Sequence, residues 1–303
     1  MRKIVLILLC CLAGVLAEAQ SNIRLTDYWD NTFYINPAAI DEKNLLDISM
    51  AARKQWLGFD GSPTTFFVAG AIFNNDLNTQ FGLKAVQDQI GYTSTTNIDL
   101  SYAYSMTVYF NWKLNLGLAA TYQSFGYDIS KVNFPTADDP SIYSRLASQD
   151  NFNAQLGAEL VNKNWRFGLS GQNIFSLFSS SSISKFYTNT NFLYGMYRDY
   201  SHDFMNMGYG ACAIQYANTL QMEFNVNSYF KLSNSNNPFQ IGFFYRTWSE
   251  MGLLFGVNLS KNLKVSYSYD YDVGGISRSS FGTHELMISY SFERVWRCKN
   301  CWY

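Results

Sequence analysis

Hydrophobic and polar residues alternate along most of the chain. In residues 264–272, "KVSYSYDYD", Val265 and three tyrosines take every second position, and Lys, Ser and Asp take the others. Successive side chains of a strand point to opposite faces, so this segment predicts a strand with one aromatic face and one polar face. The same alternation recurs in 97–104, 111–122, 152–160, 165–172, 222–230, 252–259 and 285–292. Such strands are suited to separating an apolar medium from a polar one.

The alternating segments predict fourteen strands. They are residues 46–56, 64–73, 79–87, 93–106, 111–125, 151–161, 164–174, 186–197, 204–217, 219–231, 238–248, 250–259, 262–272 and 283–292. The weakest is 186–197, which alternates poorly. With an even count, the three longest connections, about 126–150, 175–185 and 273–282, fall at one end of the strands. Outer-membrane barrels have this arrangement, with short periplasmic turns and longer outer loops.

Strand length separates a membrane barrel from a soluble β-sandwich, whose strands also alternate. Sandwich strands usually run roughly 5–6 residues. Many strands here run ten or more residues, near the roughly 9–11 residues of a tilted membrane strand. Tyr and Phe are also abundant near strand ends, as in the aromatic girdles of outer-membrane barrels. We therefore predict an all-β fold, a transmembrane outer-membrane β-barrel of about 14 antiparallel strands with lipid outside and a polar lumen inside.

Composition agrees with a surface that faces lipid. Only 15% of the 303 residues are charged and 17% are aromatic, whereas typical soluble domains have roughly 25% charged residues. The formal net charge of -1 shows no excess of basic residues of the kind that nucleic-acid-binding proteins have, so nucleic acid is not an expected partner. After the N-terminal apolar run, no segment approaches the roughly 18 apolar residues of a spanning helix.

The N-terminus has the three parts of a secretory signal peptide. Met1-Arg2-Lys3 is followed by an apolar run from Ile4 to Leu16 and by Ala17-Glu18-Ala19, which has the small-x-small form cut by signal peptidase. The mature chain is predicted to start near Gln20. The expected layout is a signal peptide at 1–19, a periplasmic N-terminal segment at 20–45, the β-barrel at 46–292 and a periplasmic tail at 293–303.

Few residues could bind a metal. Beyond the signal peptide the chain has His202, His284, Cys212, Cys298 and Cys301. A tetrahedral site would need nearly all of them, yet they lie on at least three separate segments, so no metal and no other cofactor is predicted. Cys298 and Cys301 are compatible with a redox pair or half a zinc site, but a local disulfide or two thiols suit an oxidising periplasm better. Cys212 is interpreted as a small apolar residue.

His284 and Glu285 could act as an acid and a base in a barrel hydrolase. That chemistry needs a nucleophile, a base and an orienting group within reach, and no G-x-S-x-G or similar motif is present. We therefore predict no catalytic residue and no enzyme activity. The polar strand faces carry charges of both signs, which either line water or pair into a plug. They are Lys113, Glu159, Arg166, Glu223, Lys264, Asp270 and Glu285.

Seven short strings, taken in order, resemble the PorP/SprF family of type IX secretion system membrane proteins from Bacteroidota. They are "INPAAI" (35–40), "ARKQWLGFDGSPTT" (52–65), "DQIG" (88–91), "LSYAY" (100–104), "YR" (245–246), "YSYDY" (267–271) and "GTHELMISYSF" (282–292). The resemblance implies an outer-membrane β-barrel that takes part in type IX secretion or gliding. Some members associate with the periplasmic ring of that machine, and others help cargo proteins reach or stay on the cell surface.

The resemblance singles out positions that either shape the barrel or contact a partner. They are Asn36, Pro37, Arg53, Gln55, Trp56, Gly58, Gly61, Pro63, Asp88, Gly91, Tyr269, Asp270, Gly282, His284 and Glu285. The chain departs from the family pattern at Ala39 and Ile40 and in its C-terminal tail. That tail mixes basic and aromatic residues, as interfaces do, so Trp296, Arg297 and Trp302 form a candidate interface for a periplasmic partner.

Three functions are compatible with the sequence. The first is a non-enzymatic outer-membrane component of type IX secretion, with outer-membrane lipid, periplasmic ring proteins or a secreted surface cargo protein as partners. The second is a porin or small-molecule transporter of the same architecture. The third, and least favoured, is an outer-membrane hydrolase.

Overall fold

The computed structural model describes residues 24–127, 149–178, 188–217, 219–232, 235–247, 249–273 and 280–293. Within them, fourteen antiparallel strands form a closed barrel. The strands are β1 Asn44–Lys54, β2 Thr64–Asn74, β3 Thr79–Ile90, β4 Thr93–Tyr109, β5 Trp112–Tyr127, β6 Gln149–Val161, β7 Trp165–Gln172, β8 Thr190–Arg198, β9 Met205–Tyr216, β10 Thr219–Leu232, β11 Ser235–Arg246, β12 Glu250–Asn258, β13 Leu263–Asp272 and β14 Thr283–Glu293.

Each strand pairs with its neighbours in sequence, and β1 pairs with β14 to close the barrel. In this closing pair, Met50 lies opposite Ile288 and Arg53 lies opposite Glu285. Closure leaves no strand edge unpaired, as the hydrocarbon core requires because it offers backbone groups no other partner. The predicted fold and strand count are confirmed. The largest shift is at the eighth strand, predicted at 186–197 and observed at Thr190–Arg198.

The two faces of the strands divide as the alternation predicts. In β13, Tyr267 and Tyr271 are exposed on the outer face, whereas Ser268 and Asp270 are buried inside. The apolar outer face continues around the barrel with Phe66, Val68, Ile72, Leu116, Leu118, Phe243, Leu253 and Phe255. Soluble monomers rarely expose such a contiguous apolar surface, so the outer face suits lipid. Among the described residues no helix is long and apolar enough to span a membrane.

The connections differ at the two ends of the barrel. One end, here called the loop end, receives the long connections 55–63, 128–148, 173–189 and 273–282 and the short connections 91–92, 217–218 and 247–249. The other, the turn end, receives only short connections, 75–78, 110–111, 162–164, 199–204, 233–234 and 259–262. In outer-membrane barrels the longer loops are extracellular and the short turns periplasmic. The loop end is therefore the outer one.

The N-terminal segment differs from the predicted layout. Residues 24–43, here called the plug, lie inside the barrel and include two short 3-10 turns, Asp27–Trp29 and Thr32–Tyr34. For residues 24–43 this placement replaces the predicted periplasmic segment, 20–45, with a segment inside the lumen, whereas residues 20–23 lie outside the described residues. The predicted signal peptide and the tail beyond Glu293 lie outside the described residues.

Apolar contacts explain why the plug lies in the lumen. Leu25, Tyr28 and Ile35 of the plug are fully buried, in one cluster with inward-facing strand residues such as Phe67 and Ile214. Fully burying a large apolar side chain contributes roughly 1.5–3 kcal/mol. The plug therefore provides partners for apolar side chains that point into the barrel.

Candidate functional site

A network of buried charges lies in the loop-end half of the lumen. Arg53, which is 3% exposed, places Nη1 2.7 Å from Asp270 Oδ2 and 3.2 Å from Glu285 Oε2. These three residues come from β1, β13 and β14. The sequence therefore brings together, across the closing seam, charges that are more than 200 positions apart.

A second arginine extends the network across the lumen. Arg246 of β11 is fully buried and pairs with Glu223 of β10 and Glu250 of β12. Its Nη1 also lies 3.6 Å from Asp270 Oδ2, which links it to the first group. Buried charges are tolerated only when they are paired and hydrogen-bonded. Removing any one member of the network would therefore leave a buried charge without its partner.

The plug is bound into this network. Glu285 accepts hydrogen bonds from two successive backbone amides, Thr26 N at 2.7 Å and Asp27 N at 3.0 Å. The Thr26 hydroxyl donates to Asp270 at 2.8 Å and accepts from Arg53 at 2.6 Å. Trp29 Nε1 donates to Glu223 Oε1 at 2.6 Å. The charges thus hold a length of backbone as well as one another, and we call them the latch.

The Asn-Pro of the plug rests on two glycines of the barrel wall. Asn36 Nδ2 donates to Tyr194 Oη at 3.0 Å, and a Cβ at Gly157 would lie 1.9 Å from Asn36 Oδ1. A Cβ at Gly117 would lie 2.5 Å from the Pro37 carbonyl carbon. Gly117 therefore allows the plug backbone to approach β5, and Gly157 allows the Asn36 side chain to approach β6, this closely.

The β1–β2 connection folds over the loop end. Gly58 and Gly61 have φ of 99° and 72°, a left-handed region that glycine adopts without strain. Gly91 N donates to Gly61 O at 2.8 Å, which ties this connection to the one between β3 and β4. Gln55 N donates to Pro63 O at 2.9 Å and closes the base of the connection.

The same connection also contacts the end of β13 and the start of β14. Trp56 Nε1 donates to Asp272 Oδ1 at 3.1 Å, and Leu57 N donates to Gly282 O at 2.9 Å. Gly282 has a φ of 82°, and a Cβ there would lie 2.7 Å from Asp270 O. The loop end is thus closed over the latch by hydrogen bonds from both sides of the seam.

His284 lies on the outer face and does not belong to the latch. Its Nδ1 lies 2.6 Å from Tyr267 Oη, and its ring packs edge-on against Tyr269 at a centroid distance of 5.2 Å. Glu285, the next residue, points inward. The two side chains therefore face opposite media and do not form an acid and base pair.

The turn end contains a cavity of about 720 Å³, here called the mouth cavity. Plug residues 29–33 and 39–43 form one wall, and the strand ends near Lys113, Arg166 and Arg198 form the other. Lys113 pairs with Glu42 of the plug, and Lys264, beside a second cavity of about 240 Å³, pairs with Asp30. The charges predicted on the lumen face therefore pair with the plug.

Comparison with known families identifies the chain. The profile of the family described as "Type IX secretion system membrane protein PorP/SprF" matches residues 17–290. The chain belongs to the PorP/SprF family. The resemblance seen in the sequence is confirmed, and with it the location of this family member in the outer membrane. Comparison with curated proteins gives no match.

Solved structures share the fold of this PorP/SprF protein at low sequence identity. A CymD monoaromatic hydrocarbon channel is 11% identical, with a TM-score of 0.51 over 87% of this chain and 93% of the channel. The outer membrane protein Omp33 of Acinetobacter baumannii is 9% identical, with a TM-score of 0.49 over 82% of this chain and 98% of its own. At 11% identity the likeness to CymD concerns the barrel fold alone.

The structure distributes the family positions over three places. Arg53, Asp270 and Glu285 form the latch, Asn36 and Pro37 belong to the plug, and the others lie at or near the loop end. Asp88 accepts from Thr65 Oγ1 inside the barrel. The roles of these positions toward a partner stay predictions. The candidate tail interface at Trp296, Arg297 and Trp302 lies outside the described residues.

Sequence reasoning missed part of the latch. From the sequence we did not predict the latch residues Arg246 and Glu250 as site residues, nor their plug partners Thr26 and Trp29. Arg246 does stand in the "YR" string that carries the resemblance. The inward-facing position of Arg246 in its strand was the feature of the sequence that could have predicted its place in the lumen. Among the described residues, no group of three or more His, Cys, Asp or Glu is placed to bind a metal ion.

Proposed function

We propose that this PorP/SprF protein is a non-enzymatic component of the type IX secretion or gliding machinery. In this role it helps cargo proteins reach or stay on the cell surface and contacts periplasmic ring components. The observation that supports the proposal is the plugged lumen, because a barrel filled by its own N-terminal segment is better suited to docking than to conduction.

The energetics of the latch support this role. Breaking a buried ion pair by removing one partner costs about 3–5 kcal/mol, and the plug contributes two backbone amides and a hydroxyl to such pairs. Opening the lumen would also expose Leu25, Tyr28 and Ile35, which are fully buried. A route through the barrel would therefore require the plug to leave at considerable cost.

The arrangement of titratable groups supports binding rather than catalysis. His284 lies on the outer face near the loop end, whereas His202 lies in the 199–204 connection at the turn end. His202 Nδ1 lies 3.0 Å from Ser201 Oγ and 2.9 Å from Asp199 Oδ2 in an exposed connection, so both groups share one ring nitrogen and the imidazole does not link a nucleophile to an orienting acid. The buried carboxylates of the latch are occupied by arginines and by the plug.

A native pull-down tests the proposal. The tagged protein is extracted from its own outer membrane in mild detergent, and the retained proteins are identified by mass spectrometry. Recovery of periplasmic ring proteins or a large surface cargo protein is expected. The alternative is a porin or small-molecule transporter. Recovery of the barrel alone, with steady conductance in planar bilayers, would support that alternative and contradict the proposal.

A further inference from the structure

The mouth cavity has the size and lining of a ligand site. Its volume of about 720 Å³ lies within the roughly 300–1,000 Å³ of typical ligand pockets. It is open toward the turn end, where the periplasm meets the barrel. Aromatic rings and amide side chains line it, among them Trp29, Trp165, Tyr200, Asn115 and Asn225.

The carboxylates of the mouth cavity are already bonded. Asp30 pairs with Lys264, and Glu42 pairs with Lys113. Asp41 accepts from the backbone amide of Lys43 at 3.0 Å, and Asp47 accepts from Ser291. Other acids of the turn end, Asp76, Asp199 and Asp203, do not line the cavity.

Lys113 and Arg166 are paired with Glu42 and Glu159, but within the described part of the chain the other three cations that line the mouth cavity are not paired. Lys43, Lys163 and Arg198 line it, and none of them has a carboxylate partner within 4.0 Å among the described residues. Arg198 also lines the second cavity, so its side chain lies between the two. Among the described residues, these three cations face two lining carboxylates that also have no cation partner, Asp41 and Asp47, so the unpaired charges of the cavity have a small positive excess.

Arg198 is held in place with its donors available. Its backbone is fixed by Asn164, whose carbonyl accepts from Arg198 N at 2.8 Å. Its guanidinium carbon lies 3.5 Å from the centroid of the Tyr229 ring, and its Nε is buried without a hydrogen-bond partner. A guanidinium stacked on a ring keeps a planar fork of donors that matches a carboxylate.

Two buried amide groups of the cavity wall are also without partners. Asn225 Nδ2 is a free donor and Asn115 Oδ1 a free acceptor, in side chains that are 6% and 1% exposed. Buried polar groups are nearly always hydrogen-bonded. Both atoms are buried, on β10 and β5, and are therefore not reached from the cavity.

We propose that the mouth cavity binds an acidic polypeptide segment of a periplasmic partner protein, with Arg198 as the main residue for a carboxylate of that segment. This inference rests on the proposed function, which supplies periplasmic partners. Lys43 and Lys163 bind further acidic side chains at the rim.

Peptide binding to the purified barrel tests the inference. Binding of a short fluorescent peptide of alternating Glu and Gly is compared with that of a Lys and Gly peptide of equal length, at low salt. The Glu peptide is expected to bind more tightly. Arg198→Gln weakens it about tenfold, which is about 1.4 kcal/mol, and Arg198→Lys recovers part of the loss because it keeps the charge without the fork.

Lys231→Gln is the matched control, because Lys231 is a cation of the turn end that bonds His202 O and does not line either cavity. Heat-modified mobility on gels shows that each variant has a folded barrel. Equal binding of both peptides, or equal losses for Arg198→Gln and Lys231→Gln, overturns the inference.

The native pull-down distinguishes this inference from the proposed function. If wild type and Arg198→Gln retain the same type IX partners, the function stands and the cavity is not their site. If wild type retains no type IX partner but still binds the Glu peptide, the function fails while the cavity remains a site for acidic peptides.

Discussion

Replacing Arg53 with Met tests the latch most directly. The substitution removes the cation that bonds Asp270 and Glu285 and that donates to Thr26 Oγ1. Asp270 keeps Arg246 at 3.6 Å, but Glu285 loses its arginine and keeps only the two plug amides. Met fits the space of the arginine stem, so the loss is mainly electrostatic. It amounts to about 3–5 kcal/mol, the cost of leaving a buried charge unpaired.

The loss is expected to appear as release of the plug. A change of 1.4 kcal/mol shifts an equilibrium about tenfold, so the ratio of released to docked plug rises by about two to four orders of magnitude. Single-channel recording in planar bilayers measures the open fraction, and limited proteolysis measures cleavage within 24–43. Arg53→Met should show longer openings and faster cleavage than wild type.

Lys54→Met is the matched control, because Lys54 follows Arg53 in β1, points outward and bonds Ser62 and Thr64. It should behave as wild type in both assays. A chain that lacks residues 24–40 serves as the conductance reference for a fully open lumen. If Arg53→Met and Lys54→Met show the same conductance and cleavage, the plug is not held by the latch and the reasoning is wrong.

Three further predictions concern the plug and the tail. Gly157→Val places a side chain where Asn36 lies, so thermal unfolding should show a loss of about 1–3 kcal/mol together with faster plug cleavage. Burial, and then the charge of Asp30, raise the pKa of Asp27 to about 8. The docked plug therefore favours the protonated acid, and its stability should fall as the pH rises from about 3.8, the ordinary pKa of Asp, to about 8, and then level off, measured as cleavage rate against pH. Deleting 294–303, which removes Trp296, Arg297 and Trp302, should release partners in the pull-down without changing barrel mobility on gels.

Each of these predictions has a control in the same chain. Gly70→Val should be nearly neutral, because a Cβ there meets nothing closer than 3.9 Å. Asp27→Asn should flatten the pH profile, and a profile that stays unchanged would show that another group titrates. Alanine at Trp296, Arg297 and Trp302 should act like the deletion. Full recovery of partners with either variant would exclude the tail as their interface.

Most of the barrel could be predicted from the sequence. Tyr267 and Tyr271 in β13, and Leu116 and Leu118 in β5, lie on the outer face because period-two alternation fixes the face of every residue once one is known. The plug could not be predicted in this way. Residues 24–43 have no repeating pattern, since each side chain meets a different part of the wall.

The latch was only partly visible in the sequence. Arg53, Asp270 and Glu285 were singled out by resemblance, but their meeting depends on a pairing between the first and last strands. The inward apolar side chains Phe67 and Ile214 were a further signal. Apolar side chains are unfavourable in a water-filled lumen, so their presence indicates that other apolar side chains fill the lumen.

The position of the latch has a consequence for how the protein assembles. Arg53 and Glu285 face each other across the β1–β14 seam, and Thr26 and Asp27 are bound between their strands. This seam joins the most distant parts of the chain, and such non-local pairings form slowly. We therefore expect the N-terminal segment to serve as a template on which the first and last strands meet. A chain that lost it should remain longer as an open sheet during insertion, exposed to proteases and to pairing with its neighbours.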